Sequence, residues 1–76
     1  GVTVVDAEPG WEGPEHEHGE NDHEEVYFIV DGEATITIDG EDVPVETGDA
    51  VRIPPGATRQ IMNGDTHSQF VLTGAP

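Results

Sequence analysis

The stretch "DGEATITIDGEDV", residues 31–43, sets the secondary structure of the chain. Ala34, Ile36 and Ile38 alternate with Thr35 and Thr37, so a strand here has one apolar face and one hydroxyl face. Asp31-Gly32 and Asp39-Gly40 bracket it, and Asp-Gly is the pair that two-residue hairpin turns favour. The pattern predicts a strand with a tight turn signal at each end.

The same period of two runs outward in both directions. Residues 2–5, 25–30, 43–45, 50–53, 59–62 and 69–72 read as further short strands, and the run 25–30 is apolar enough to be covered on both faces. Glu8-Pro9-Gly10, Gly48-Asp49 and Pro54-Pro55-Gly56 punctuate them. No helical period, repeat or linker interrupts the pattern. Short strands with Gly/Pro turns predict an all-β sandwich or barrel, a single domain over residues 1–76. The chain opens at Gly1 rather than Met, which suggests that N-terminal strands are missing.

Charge limits the partners. Seventeen acids face two arginines and no lysine, for a net charge of −15. A duplex or an anionic membrane repels such a surface, so neither nucleic acid nor membrane is an expected partner. The longest apolar run, residues 26–30, is far too short to span a bilayer, and without a signal-peptide pattern the expectation is cytoplasmic. Cysteine is absent, which excludes disulfides and thiolate zinc sites. The acid excess without lysine points to life at high salt, where self-repulsion is screened. A barrel of 76 residues leaves strand edges and apolar surface that one chain cannot cover, so a homodimer is expected.

Chemistry concentrates in residues 15–25. His16 and His18 are two apart, so on a strand both rings point to one side and can grip one divalent ion. Glu25, opening the next strand, can add an oxygen ligand, and His23 shares its parity. The competing reading is a solvated acidic loop, since six carboxylates and three histidines within residues 15–25 cannot all be ligands. Tyr27 lies either in the core or along a pocket, and Trp11 either covers the barrel mouth or packs beside a turn. Met62 and Phe70 read as core, Arg52 as a surface partner of carboxylates, and His67 as exposed. Asn63 and Gly56 read as turn-shaping residues. Neither a nucleophile with its base nor a phosphate-cradling glycine loop is present.

From residue 10 to residue 63 the sequence resembles the cupin family, through both halves of its double motif. Gly10, His16, His18, Glu25 and Gly32 stand at the spacing of the first half, and Gly48, Pro54, Gly56 and Asn63 at that of the second. The resemblance implies a small jelly-roll barrel with an internal metal or ligand pocket, often in a homodimer. It implies His16, His18 and Glu25 as ligands of a divalent transition metal: zinc, iron, manganese, nickel or copper. If the protein is an enzyme, it implies a dioxygenase or an isomerase/epimerase acting on a small polar molecule.

Two departures qualify it. Six residues separate His18 from Glu25, longer than the family gap, and Arg59 stands where the family places its fourth ligand. A guanidinium stays protonated and cannot coordinate. Three expectations follow. In the first, His16, His18 and Glu25 hold a metal with open positions. In the second, Arg59 clamps a small molecule, a carboxylate or sugar, in a metal-free pocket. In the third, Arg59 pairs with Glu25 and closes the pocket with no metal.

Overall fold

The computed structural model describes residues 1–15 and 24–74. Seven strands follow in order: β1 (Val2–Ala7), β2 (Glu25–Asp31), β3 (Glu33–Ile38), β4 (Glu41–Glu46), β5 (Ala50–Ile53), β6 (Arg59–Asn63) and β7 (Ser68–Gly74). Each expected strand is present, and no helix occurs among the described residues. They form two antiparallel sheets, ordered β1-β7-β2-β5 and β4-β3-β6, a small jelly roll. No helix of the described residues is long and apolar enough to cross a membrane.

The two Asp-Gly pairs behave differently. Asp39-Gly40 is the expected two-residue hairpin: Ile38 pairs with Glu41, and both loop residues have positive φ, 49° and 81°. Asp31-Gly32 is no hairpin, because β2 and β3 lie in different sheets. Gly32, at φ 105°, turns the chain from one sheet to the other. A Cβ there would lie 2.9 Å from the Cα of Ser68, too close for any side chain. Ser68 secures this corner, its hydroxyl accepting from Glu33 N at 3.2 Å and donating to Glu33 O at 3.2 Å. The dipeptide supplies the positive φ, but burial decides which strand pairs with which.

The inner faces of the sheets make the core. Tyr27 and Ile29 of β2, Phe70 of β7 and Ile53 of β5 pack against Ile36 of β3, Val45 of β4 and Ile61 of β6. Each large side chain so buried contributes roughly 1.5–3 kcal/mol of transfer free energy. Phe70 is core as expected, but Met62 is only half-buried, since it shares parity with Gln60 rather than with buried Ile61. The run at 25–30 is not covered on both faces either. Phe28 and Val30 are 41% and 47% exposed, because among the described residues the β1-β7-β2-β5 sheet packs on its inner side only.

Residues 10–13 lie along β6 and so shape the end of the core. Asn63 N donates to Trp11 O at 2.7 Å, Gly13 N to Ile61 O at 2.9 Å, and Gln60 Nε2 to Gly13 O at 2.9 Å. Asn63 also gives its amide nitrogen to the carbonyls of Glu8 (2.8 Å) and Thr66 (2.9 Å), the turn-shaping role expected of it.

Candidate functional site

Glu25 opens β2 and Arg59 opens β6, one on each sheet, and both side chains point between the sheets. The inward parity of Glu25, Tyr27 and Ile29 follows from the period of two. Arg59 shares its face with Ile61 and Asn63, so the sequence places a guanidinium where an apolar residue would ordinarily sit. It is only 6% exposed.

The charge is met from two sides. Arg59 Nη2 donates to Glu25 Oε1 in an ion pair, and Nη1 donates to the Ala57 carbonyl at 2.5 Å. The Tyr27 hydroxyl donates to the same Glu25 oxygen at 3.4 Å. Arg59 Nε has no hydrogen-bond partner among the described residues. Burial works against the guanidinium's charge, but Glu25 and Tyr27 outweigh it and hold the pKa above its usual value. Burial, and next the Glu25 charge, push the Tyr27 hydroxyl up, against the pull of Arg59.

A cavity of about 50 Å³ adjoins this cluster, lined by Trp11, Tyr27, Arg59, Gln60, Ile61 and Leu72 among others. At about 10–15 Å³ of such space per water it has room for a few waters or for a carboxylate group. Trp11 and Tyr27 were legible as pocket candidates. Gln60 and Leu72 were not, although Leu72 pairs with Tyr27 across β7 and β2 and so shares its face.

Of the expected site residues, the structure brings together Glu25, Tyr27 and Arg59. His16, His18 and His23 lie outside the described residues. Among the described residues no three His, Asp or Glu side chains cluster closely enough to hold a metal ion. Glu25, the one expected ligand within them, is engaged by a guanidinium that stays protonated. Within the described residues, the one donor of the expected set is thus paired with Arg59. Away from the cavity, Arg52 pairs with Glu24 at 2.6 Å on the surface, as expected, and His67 is exposed.

The comparisons with known proteins agree with this geometry. The sequence profile described as "Cupin domain" matches residues 3–73. An uncharacterized protein of Methanocaldococcus jannaschii is 40% identical over 40 residues, 53% of this chain and 32% of its own length. A cupin protein from Bacteroides fragilis superposes with a TM-score of 0.88 at 33% identity, over 97% of this chain and 63% of its own. A predicted oxalate decarboxylase from Thermotoga maritima superposes with a TM-score of 0.86 at 28% identity, over 96% and 63%. The chain thus spans about a third of the curated relative and under two thirds of these solved structures. With the profile, the inward Glu25 and the two-sheet architecture in agreement, the chain belongs to the cupin family.

Proposed function

We propose that this domain is a non-catalytic binding module for a small carboxylate, with Arg59 as the clamp and no metal. The observation that carries this reading is the buried Arg59 beside the cavity, its Nε without a partner among the described residues. An unsatisfied buried donor costs about 1–3 kcal/mol, and a ligand oxygen removes that cost. The guanidinium offers five N–H donors, and its contacts with Glu25 and Ala57 use two, which leaves Nε–H and one N–H on each terminal nitrogen for a ligand carboxylate.

Glu25 is the internal stand-in for the ligand. Its side chain is 29% exposed, so it can turn toward water when another carboxylate takes the guanidinium. Binding is then an exchange of one carboxylate for another, with Trp11 and Leu72 flanking the apolar part of the ligand. The Thermotoga neighbour, named as a predicted oxalate decarboxylase, supports a small carboxylate as ligand class. Calorimetric titration with acetate, lactate and oxalate tests the reading. Arg59→Gln should abolish binding, and Glu25→Gln should tighten it at least tenfold, or about 1.4 kcal/mol, by removing the competitor. No binding to wild type and Glu25→Gln alike refutes it.

A further inference from the structure

Asn63 closes β6 with a side-chain amide that the fold holds from one side only. Its Nδ2 faces three backbone carbonyls, those of Ala7 at 3.2 Å, Glu8 at 2.8 Å and Thr66 at 2.9 Å. An amide nitrogen carries two hydrogens, so three acceptors share them. Its Oδ1 is buried and has no donor among the described residues. The next residue is Gly64, and the pair is the chain's one Asn-Gly. The fold does not require that glycine. Its φ lies outside the left-handed region, and a Cβ there would meet nothing nearer than the Glu33 carbonyl oxygen at 3.5 Å, an ordinary contact.

We propose that Asn63-Gly64 is a deamidation site that the native fold blocks and unfolding exposes, and that the reaction, once it has occurred, bars the chain from refolding. In the reaction the Gly64 amide nitrogen loses its proton to hydroxide or buffer base and attacks Asn63 Cγ. The N–Cγ bond forms, the Cγ–Nδ2 bond breaks, and Nδ2 takes up a proton and leaves as ammonia. Water then opens the cyclic imide at either carbonyl, giving aspartate or isoaspartate. A glycine after asparagine leaves the attacking nitrogen without a side chain to shield it. The unfolded chain therefore reacts faster here than at its other asparagine, Asn21, which Asp22 follows.

Each part of that step is opposed in the folded domain. Asn63 is the last residue of a strand, and extended backbone, with ψ of about +135°, turns the following nitrogen away from the residue's own Cγ. Gly64 N donates to the Glu33 carbonyl at 3.4 Å. No donor among the described residues meets Oδ1, so the charge that develops on it during attack is unsupported. The product fares worse. A carboxylate at position 63 has no hydrogen to offer, and an oxygen in place of Nδ2 would stand within 3.2 Å of three carbonyl oxygens in a buried corner. Isoaspartate also inserts a methylene into the backbone at the residue whose N–H donates to Trp11 O. The carbonyls that hold the amide exclude the acid.

Incubation of the wild-type chain in mildly alkaline buffer over a series of urea concentrations, followed by peptide mass mapping, tests this. The rate at Asn63 should track the unfolded fraction through the urea transition and rise at least tenfold from native to unfolded chain. Asn21 serves as the reference within the same molecule. After the urea is diluted out and the folded and unfolded fractions are separated by gel filtration, deamidated chains should collect in the unfolded one. Gly64→Ala, which the fold accommodates, should slow the reaction in urea at least tenfold and preserve the refolding yield. Asn63→Asp should lower the urea midpoint or fail to fold. An equal rate at Asn63 in folded and unfolded chain overturns the proposal. So does a folded fraction as rich in deamidated chains as the whole, and so does an unchanged rate in unfolded Gly64→Ala.

Discussion

Glu25 and Arg59, 34 residues apart and on different sheets, form an ion pair across the interior of the domain. The pair joins the first motif half to the second at the position where the family places a ligand. We propose that the residue type at position 59 decides between a metal site and a salt-bridged pocket.

Arg59→His tests that decision directly. The metal-free variant should lose about 2–3 kcal/mol in urea denaturation, somewhat below the cost of breaking a fully buried pair, because Glu25 is partly exposed. Zinc affinity should rise at least tenfold over wild type as a fourth ligand replaces the positive charge. His18→Ala should remove that gain. Equal zinc affinity in all three proteins would make residues 16–23 a solvated acidic loop.

Tyr27 gives the stability a pH dependence at the alkaline end. Its folded pKa is raised above the ordinary value of 10.0, by burial first and by the Glu25 charge second. The folded state therefore holds this proton more tightly than the unfolded chain does. Its contribution is fully present below pH 10 and is lost as pH rises through the higher folded value. Chemical denaturation between pH 8 and 11 should show a fall in stability above about pH 10 that Tyr27→Phe reduces. An identical decline in the two proteins would contradict this assignment.

Gly32→Ala should destabilise the domain by about 2–4 kcal/mol, since it combines a positive-φ penalty with overpacking against Ser68. Ser68→Ala should not rescue it, because the Ser68 Cα also lies within 2.9 Å of the added methyl group. Recovery of the wild-type denaturation midpoint in the double variant would disprove that account.

Salt should stabilise the chain. Raising ionic strength from about 0.1 M to 1 M shortens the screening length from about 10 Å to about 3 Å, and the self-repulsion of a −15 chain falls with it. The thermal midpoint should climb steeply over that range. A midpoint independent of salt would remove the basis for a halophilic reading.

The sequence by itself determined the strands, since a period of two and turn residues are local signals that need no tertiary partner. It also determined the family spacing, the shared parity of Glu25 and Tyr27, and the anomaly at Arg59. Three matters waited for the tertiary structure. Asp31-Gly32 and Asp39-Gly40 are the same dipeptide, but one closes a hairpin and the other carries the chain between sheets. The difference lies in burial of the two inner faces, and at Gly32 the chain crosses between sheets against Ser68, far along the chain. The run at 25–30 is apolar throughout, yet alternate residues face the core and open surface, because burial depends on how many layers the sheet lies between. The Glu25–Arg59 pair was one of three readings of the motif, and only the approach of β2 and β6 across the core joined the charges. Local pattern fixes which way a side chain points within its strand; what it meets there is set by chain closure over long sequence distances.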